Sequence, residues 1–236
     1  MSSKAIVTII LCVLIASSFL LYKYGGVEAL ENEPDTKRLI YIPIGDSLAE
    51  GWHATTKDKS YISILSQFIQ KGLGYNVITK NGVRVAGAGL KDAAMPNISK
   101  IIMEHPDLIT IEFGTNDSNR NKKAYVPPEE FKMLLWHLVE RLQQAPSNPK
   151  IILVTTWNRG QDSLKYDHII KAVAEERDIA VANIQNVWMN RTDTCGPDKL
   201  VTYNGLSDNW HPNDKGHQEI AEIIFEQAKK LLKEQN

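Results

Sequence analysis

Cysteine is scarce in this chain of 236 residues, which contains only Cys12 and Cys195. Small domains held together by disulfides need a framework of several paired cysteines, so this chain does not belong to that class. Neither cysteine has a second cysteine or a histidine at the short spacing typical of zinc sites. We therefore predict a domain that is stabilised by an apolar core, with no structural metal.

A basic cluster is also absent at the level of the whole sequence. Lysine and arginine total 27 residues, aspartate and glutamate total 28, and the two signs are interspersed. Proteins that bind nucleic acid usually concentrate positive charge, so nucleic acid is not an expected partner. No internal repeat or low-complexity tract is visible either, and the length predicts one domain, or one domain with an appendage.

Long apolar runs are missing except at the N-terminus, where Ala5–Tyr22 is almost continuously apolar between Lys4 and Lys23. As a helix this run would be roughly 27 Å long, close to the ~30 Å hydrocarbon thickness of a bilayer. We predict an uncleaved membrane anchor; the open alternative is a signal peptide cleaved after Val27–Ala29. In either case we expect the remainder to be exported, as a single-pass cell-membrane protein or in secreted form.

The sequence after this run divides into a linker and one domain. Residues 25–37 are polar, acidic and aperiodic, which is typical of a linker. We therefore predict an anchor at 1–24, a linker at 25–37 and a domain at 38–236.

Strand-like and helix-like segments alternate through the domain. Strands are predicted at Leu39–Ile44, Tyr75–Thr79, Leu108–Phe113, Ile151–Thr156 and Ala180–Ile184. Helices are predicted at Tyr61–Lys71, Pro96–Glu104, Glu129–Gln144, Leu164–Glu176 and Asn213–Lys233. This alternation predicts an α/β fold: a three-layer α/β/α sandwich around a five-stranded, mostly parallel sheet.

Four short polar or glycine-rich stretches lie at the ends of predicted strands or in the following loops. They are Gly45–Ser47, Ala86–Gly89, Gly114–Asp117 and Asp208–Pro212, the last just before the final helix. Parallel α/β sheets bind their ligands at the carboxyl ends of the strands, so we expect these stretches to meet there. Together they contain every residue type that an acyl-transfer site requires.

The predicted reaction begins at Ser47, whose hydroxyl needs a base before it can attack an ester carbonyl. His211 can take that proton and return it to the leaving alcohol, and Asp208 can orient the imidazole. The oxyanion requires donors, for which we predict the Ser47 N–H, a backbone N–H near Gly87 and the Asn116 amide. A glycine suits this second position, because the backbone can approach the substrate closely without a Cβ in the way.

Other interpretations of nearby residues remain open. Asp208, His211 and Asp214 could bind a metal if a fourth ligand such as His217 lay close, although we predict no metal. The side chains of Trp52, His53, Trp157 and Trp210 could line an acyl or sugar pocket or pack loops against the sheet. His53 is expected to lie in a surface loop.

From Leu39 to the C-terminus the chain resembles the SGNH/GDSL hydrolase superfamily of lipases and esterases. The resemblance implies a flavodoxin-like sandwich with five parallel strands and an acyl-serine mechanism that uses no cofactor. It assigns the nucleophile to Ser47, the oxyanion donors to Gly87 and Asn116, and the remaining catalytic residues to Asp208 and His211. The family block often has a hydroxyl residue after its glycine, whereas this chain has Ala88-Gly89. Gly89 therefore remains an alternative to Gly87 as the oxyanion donor.

The sequence therefore predicts an exported serine esterase whose partners are an ester substrate and, through the N-terminal run, the membrane. The substrate is left open between acyl lipids, such as lysophospholipid, and O-acetyl groups of a cell-envelope polysaccharide. A different class of function also remains: a tethered envelope-binding module that has lost catalysis. The oligomeric state is not predicted.

Overall fold

The computed structural model describes residues 37–157 and 162–233. The predicted anchor at 1–24 and all but the last residue of the predicted linker lie outside the described residues. Among the helices within 37–157 and 162–233, none is long and apolar enough to cross a bilayer.

A parallel sheet forms the middle layer, with neighbouring strands in the order β2-β1-β4-β5-β6. Its strands are β1 (Arg38–Gly45), β2 (Asn76–Thr79), β3 (Val83–Arg84), β4 (Leu108–Glu112), β5 (Lys150–Val154) and β6 (Ala180–Ala182). Strand β3 pairs with the last two residues of β1, beyond the part of β1 that pairs with β2. The two short strands thus share one edge, and the sheet has the flavodoxin-like order.

Strand β1 is central because its side chains are apolar on both faces. Leu39 and Tyr41 belong to the core cluster on one face of the sheet. Ile40, Ile42 and Ile44 belong to the cluster on the other face. A strand that is covered on both faces needs a nearly continuous apolar run, and all residues from Leu39 to Gly45 are buried.

Helices cover both faces of the sheet. They are α1 (Ser47–Glu50), α2 (Tyr61–Leu73), α3 (Ile98–Met103), α4 (Pro128–Gln143), α5 (Asp162–Arg177), α6 (Gln185–Trp188) and α7 (Asp214–Lys233). Apolar residues of α2 and α7 pack into one cluster, and those of α3, α4 and α5 pack into the other. The predicted three-layer α/β/α architecture is therefore confirmed.

The ends of α2 illustrate why its sequence folds locally as a helix. The Ser60 hydroxyl caps the first turn by accepting the N–H of Ser63 at 3.4 Å, and the helix stops at Gly74, whose φ is 74°. Between these caps, apolar residues recur at helical spacing, so that Tyr61, Leu65 and Ile69 are fully buried.

The structure differs from the sequence prediction in several short elements. The prediction of five strands is wrong, because Val83–Arg84 adds a sixth strand to the sheet. An antiparallel hairpin of β7 (Val201–Thr202) and β8 (Gly205–Leu206) was also not predicted. The helix predicted from Pro96 begins at Ile98 and follows a π turn and a 3₁₀ turn. Two-residue strands contain too few side chains to display a periodicity, which explains why both were missed.

Candidate active site

Ser47, His211 and Asp208 form a continuous hydrogen-bonded chain at the carboxyl edge of the sheet. Ser47 Oγ lies 3.1 Å from His211 Nε2. His211 Nδ1 lies 2.7 Å from Asp208 Oδ2. Ser47 follows β1, whereas His211 and Asp208 precede α7, so the fold brings together residues from opposite ends of the domain.

The turn after β1 holds Ser47 at the start of α1. Asp46 caps this short helix, since its Oδ1 accepts the Leu48 N–H at 3.0 Å. The helix ends after one turn at Gly51, whose φ of 82° is in the left-handed region. Asp46 Oδ1 also lies 3.4 Å from Ser47 Oγ. The end of β1, the Asp46 cap and the turn at Gly51 therefore fix the backbone that carries the Ser47 hydroxyl.

Asp208 accepts hydrogen bonds with both carboxylate oxygens. Oδ1 accepts the N–H groups of Trp210 at 2.8 Å and His211 at 2.7 Å, while Oδ2 faces the imidazole. Although burial favours the neutral acid, these bonds favour the carboxylate and lower the pKa of Asp208 to about 2. Asp208 is therefore ionised at neutral pH and suited to orient His211.

His211 is enclosed by aromatic rings. The rings of Trp52, His53 and Trp210 lie 5.4, 4.8 and 4.8 Å from the imidazole, centroid to centroid. Burial lowers the pKa of His211 below 6.5, against the opposing effect of Asp208. The imidazole is consequently neutral at pH 7, which is the state that a general base requires.

His53 was expected to be a surface-loop residue, and this expectation is wrong. It is only 5% exposed, and its Nδ1 accepts the backbone N–H of Asp208 at 3.1 Å.

Trp52 and Trp210 line the pocket, as one of the two interpretations proposed. Trp157 follows the other interpretation, since it is fully buried and its Nε1 donates to the carbonyl of Trp210 at 2.8 Å.

The Asn116 side chain reaches the same pocket from the loop after β4. Its Nδ2 donates to Asp46 Oδ2 at 2.7 Å and to the carbonyl of Ala88 at 3.2 Å. Asp46 therefore holds both the turn that carries Ser47 and the amide of Asn116. The longer bond to Ala88 is the one that an incoming substrate oxygen can replace most easily.

Gly87 and Gly89 occupy different environments. Gly87 lines the pocket, has φ of 75°, and a Cβ at this position would meet no atom within 4 Å. A Cβ at Gly89 would lie 2.7 Å from Asp117 Oδ1 and 3.0 Å from the carbonyl of Ala124. Gly87 thus faces the space that a substrate would fill, whereas Gly89 packs inward. This placement favours Gly87 for the predicted oxyanion role.

Three acids are buried near Ser47, and sequence reasoning assigned no role to them. Burial raises the pKa of Asp46 to about 6, against hydrogen bonds that lower it. Burial also raises the pKa of Asp117 to about 7. The pKa of Glu112 is raised well above its usual range by burial and then by the charge of Asp46. The proton therefore stays on Glu112, while Asp46 remains the acceptor for Asn116.

Glu50 links two walls of the pocket and was also missed. Its Oε2 accepts Trp52 Nε1 at 2.8 Å and its Oε1 accepts the Ala86 N–H at 3.2 Å. A glutamate in the first turn after Ser47 carries no pattern that identifies such a role. The contact depends on the approach of the loop after β3, which the sequence does not predict.

The pocket above these residues has a volume of about 500 Å³. Besides Ser47, Asp208, His211, Gly87 and Asn116, it is lined by Trp52, Ala86, Thr115, Asn119, Lys122 and Trp210. Indoles, amides and an ammonium group therefore surround Ser47, a lining suited to a polar substrate.

Among the described residues, His53, Asp208 and His211 form the only group in this region that could hold a metal ion. Their candidate ligand atoms lie within 4.8 Å of one another. His53 Nδ1 already accepts the backbone N–H of Asp208, and His211 Nδ1 already bonds to Asp208 Oδ2. The other predicted candidates are engaged elsewhere: Asp214 accepts from Thr55 and Lys59, and His217 contacts Trp52 and Tyr61. A cation would have to displace the hydrogen bonds that align the imidazole.

Residues 44–219 match the GDSL-like Lipase/Acylhydrolase family. The "uncharacterized esterase YxiM" of Bacillus subtilis (strain 168) is 22% identical over 216 residues, which are 86% of this chain and 55% of that protein. An acetylxylan esterase of Xylanibacter ruminicola is 28% identical over 146 residues, 50% of this chain and 28% of that protein. The chain thus spans about half the length of these curated relatives, or less.

A solved structure shares the fold. The family 3 carbohydrate esterase of Clostridium thermocellum superposes with a TM-score of 0.62 at 15% identity, covering 84% of this chain and 98% of that one. The resemblance to SGNH/GDSL hydrolases that the motifs indicated is confirmed by the family match. The chain belongs to the GDSL-like lipase/acylhydrolase family, a family of ester-hydrolysing enzymes.

Proposed function

We propose that this protein is a serine esterase that hydrolyses carboxylic esters through an acyl-serine intermediate. The observation that carries the proposal is the unbroken chain from Ser47 Oγ to His211 Nε2 at 3.1 Å and from His211 Nδ1 to Asp208 at 2.7 Å. A serine, a neutral imidazole and an ionised carboxylate in this order provide an activated nucleophile.

In the proposed reaction, His211 removes the proton of Ser47 as Oγ attacks the ester carbonyl. His211 then delivers that proton to the leaving alcohol, which yields the acyl-serine. Water then hydrolyses the acyl-serine in the same way. His211 takes a proton from the water as its oxygen attacks the acyl carbon, and His211 returns that proton to Ser47 Oγ as the carboxylic acid leaves. Asp208 stabilises the imidazolium that exists between the two proton transfers.

The tetrahedral oxyanion of each step needs donors that point into the pocket. The Ser47 N–H lies in the first turn of α1, where a helix leaves N–H groups without an intrahelical acceptor. The peptide of Gly87 is held in position, because the adjacent N–H groups of Ala86 and Ala88 are bonded to Glu50 and Val85. Asn116 completes the set by turning one N–H from Ala88 toward the substrate.

A fluorophosphonate probe tests the proposal, because only an activated serine is labelled. We expect wild-type protein to be labelled once, and Ser47→Ala to lose labelling and nearly all esterase turnover, by ~10⁴-fold or more. His211→Ala keeps the hydroxyl but should also label poorly, and heat-denatured wild type serves as the control. Unlabelled wild type would instead support the tethered binding module.

For the substrate we propose an O-acetyl group on a carbohydrate. The polar, tryptophan-flanked pocket suits a sugar ring better than a long acyl chain. One relative is named acetylxylan esterase, which supports the same class for this chain. A comparison of acetyl, butyryl and dodecanoyl p-nitrophenyl esters should show the highest kcat/KM for acetyl. A maximum at dodecanoyl would favour an acyl-lipid substrate instead.

We also propose that the enzyme acts outside the cytoplasm, held at the membrane by the apolar run Ala5–Tyr22. The support is the sequence alone, since this run lies outside the described residues. The full chain should remain with membranes after carbonate extraction, whereas a chain that begins at Asp35 should be soluble and equally active on short esters. Recovery of a mature form that begins near Leu30 would favour a cleaved signal.

A further inference from the structure

One wall of the pocket carries positive charge. Residues 119–123 read Asn-Arg-Asn-Lys-Lys, and all five are exposed. Among them, Asn119 and Lys122 line the pocket that contains Ser47 and His211. This local cluster stands out in a protein whose formal net charge is only −1.

The backbone of this loop is held by consecutive turns. The N–H of Lys122 donates to the carbonyl of Asn119 at 2.9 Å, and the N–H of Tyr125 donates to the carbonyl of Lys122 at 3.1 Å. The Asn119 side chain also accepts the N–H of Asn121 at 3.0 Å. Asn119 and Lys122 therefore line the pocket from a loop whose backbone is already ordered by turns, so only their side chains need to be ordered when a ligand binds.

No ion pair holds Lys122 to an acid among residues 37–157 and 162–233. By contrast, Lys91 pairs with Glu130 at 2.7 Å and Lys132 pairs with Glu176 at 2.8 Å. The charge of Lys122 reaches the reacting groups, since it is one of the influences, after burial, that lower the pKa of His211. The pocket thus presents a cation that the described part of the protein leaves for a ligand.

We propose that Lys122 and Asn119 form a subsite for an anionic group, a carboxylate or a phosphate, that the substrate carries near the scissile ester. The proposal rests on the esterase function proposed above. An ammonium group and an amide N–H would donate charge-assisted and neutral hydrogen bonds to the anion. The favoured substrate is then the acetyl ester of an acidic sugar rather than of a neutral one.

Three O-acetylated methyl glucosides test this subsite: the neutral sugar, its 6-carboxylate and its 6-phosphate. We expect kcat/KM for at least one acidic sugar to exceed that for the neutral sugar by roughly tenfold at low salt. If only one of the two acidic sugars is the better substrate, its charged group, carboxylate or phosphate, is the anion that the subsite binds. The advantage should shrink as the salt concentration rises, because an exposed ammonium group is screened.

Lys122→Gln should reduce the ratio of acidic to neutral kcat/KM to about one. Lys123→Gln is the matched control, since it removes the same charge from the same loop but its side chain does not line the pocket. Equal rates on all three sugars, or an equal loss of preference in both variants, would overturn the subsite. Inactivity toward every sugar and toward p-nitrophenyl acetate would overturn the esterase function itself.

A second, independent observation concerns His53, whose backbone has a φ of 65°. Histidine adopts this left-handed conformation more often than most residues with a side chain, and His105 adopts it as well, so the contacts of the His53 ring carry the argument. The conformation directs a buried ring to Asp208, whose N–H donates to His53 Nδ1 at 3.1 Å. The same ring packs edge-on against His211 at 4.8 Å.

We infer that His53 is a positioning residue that fixes the backbone of Asp208 and the ring of His211. Because Nδ1 accepts a hydrogen bond, the ring proton of neutral His53 lies on Nε2. His53 thus acts through the two residues that activate Ser47 and transfers no proton itself.

Three substitutions of His53 separate positioning from backbone strain. His53→Asn keeps an acceptor at the place of Nδ1 and tolerates the left-handed backbone, whereas His53→Gly keeps only the backbone freedom and His53→Ala keeps neither. We expect Gly and Ala to lower kcat by roughly tenfold with KM within a few-fold, and Asn to restore most of it. A glycine variant as active as wild type, or an asparagine variant no better than alanine, would overturn the inference.

Discussion

At the scale of single residues, His211 experiences two opposing influences. Burial among aromatic rings disfavours the imidazolium, while the Asp208 carboxylate at 2.7 Å favours it. Burial is the larger influence, so the pKa of His211 lies below 6.5. The base is then unprotonated at neutral pH, and Ser47 has an acceptor for its proton at 3.1 Å.

The first prediction concerns the pH dependence of the reaction. With His211 as the proposed general base, kcat/KM should rise with pH through the pKa of His211 and reach its plateau by about pH 7. The midpoint of the acid limb should lie below pH 6.5. Asp208→Asn removes the charge that raises this pKa, so the limb should move to lower pH while kcat falls by roughly 10²–10⁴-fold.

The pH profile is measured with a p-nitrophenyl ester under kcat/KM conditions, with product detected at a pH-independent wavelength. An acid limb centred above pH 6.5 would contradict a buried imidazole as the base. An unchanged limb in Asp208→Asn would show that Asp208 does not act on His211.

The second prediction concerns Asn116, which donates to Asp46 at 2.7 Å and to Ala88 at 3.2 Å. If one N–H turns to the oxyanion, Asn116→Ala should lower kcat by ~10²–10³-fold, about 2.7–4 kcal/mol, with KM within a few-fold. Asn116→Asp should be at least as harmful, because it places a carboxylate beside Asp46 and the developing oxyanion. Steady-state kinetics and melting temperature are measured on the same preparations.

A purely structural Asn116 would give a different result. Both variants would then melt at lower temperature and keep the kcat of wild type in the folded fraction. That outcome would remove Asn116 from the oxyanion site and leave the backbone N–H groups of Ser47 and Gly87 as its donors.

At the scale of elements, α1 is one turn long, yet it joins three parts of the site. Its first residue is Ser47, and its last, Glu50, accepts the Trp52 indole and the Ala86 N–H. The carbonyl of Glu50 accepts the Tyr203 hydroxyl and, at 3.2 Å, the Asn204 amide, both from the β7–β8 hairpin. The hairpin thus contacts the turn that carries Ser47 through the carbonyl of Glu50.

The third prediction is that Glu50→Ala weakens the site without removing any reacting group. Loss of the carboxylate frees Trp52 and the loop that carries Gly87, so kcat/KM for acetyl esters should fall by roughly fivefold to thirtyfold. Stability should fall by about 1–2 kcal/mol, measured by urea unfolding. Glu175→Ala, the same change at an exposed position of α5, is the control. Equal behaviour of the two variants would show that Glu50 has no role in the pocket.

Much of this arrangement could be predicted because parallel strands bring their carboxyl ends to one edge. The loops after β1 and β4 and the segment before α7 could therefore be placed together from their order alone. The long helices were also predictable, since α7 buries Ile220, Ile224 and Ala228 on one stripe.

The remainder depends on contacts between distant segments that leave no local pattern. His53 has the sequence context of an exposed loop residue and is buried only because the segment before α7 folds over it. Strand β3 and the β7–β8 hairpin have two residues per strand, too few for an alternation of buried and exposed positions. The buried acids Asp46, Glu112 and Asp117 acquire their raised pKa values only when three segments meet.

At the scale of the whole molecule, His217 connects segments that are far apart in the sequence. It lies on α7, fully buried, and its Nδ1 accepts the N–H of Tyr61 at 3.3 Å at the start of α2. Its Nε2 lies 2.8 Å from the carbonyl of Trp52, in the loop that packs on His211. Only the neutral ring, with its proton on Nε2, satisfies both contacts, because Nδ1 must accept.

The fourth prediction follows from this protonation state. Burial lowers the pKa of His217 from 6.5 to about 4, so the unfolded chain binds a proton between these values that the folded protein does not. The stability that neutral His217 contributes is fully present above pH 6.5 and is lost as the pH falls toward 4, at about 1.4 kcal/mol per pH unit. The loss should approach about 3 kcal/mol at pH 4, measured by urea unfolding.

His217→Gln isolates this contribution from the buried acids, whose raised pKa values change stability in the opposite direction over the same range. The glutamine amide can donate to Trp52 and accept from Tyr61 but does not titrate. The difference in unfolding free energy between wild type and His217→Gln should therefore shrink, or change sign, as the pH falls from 6.5 to 4. A constant difference would mean that His217 is protonated as easily in the folded protein as in the unfolded chain, and that the junction of α7, α2 and the Trp52 loop does not depend on its neutral form.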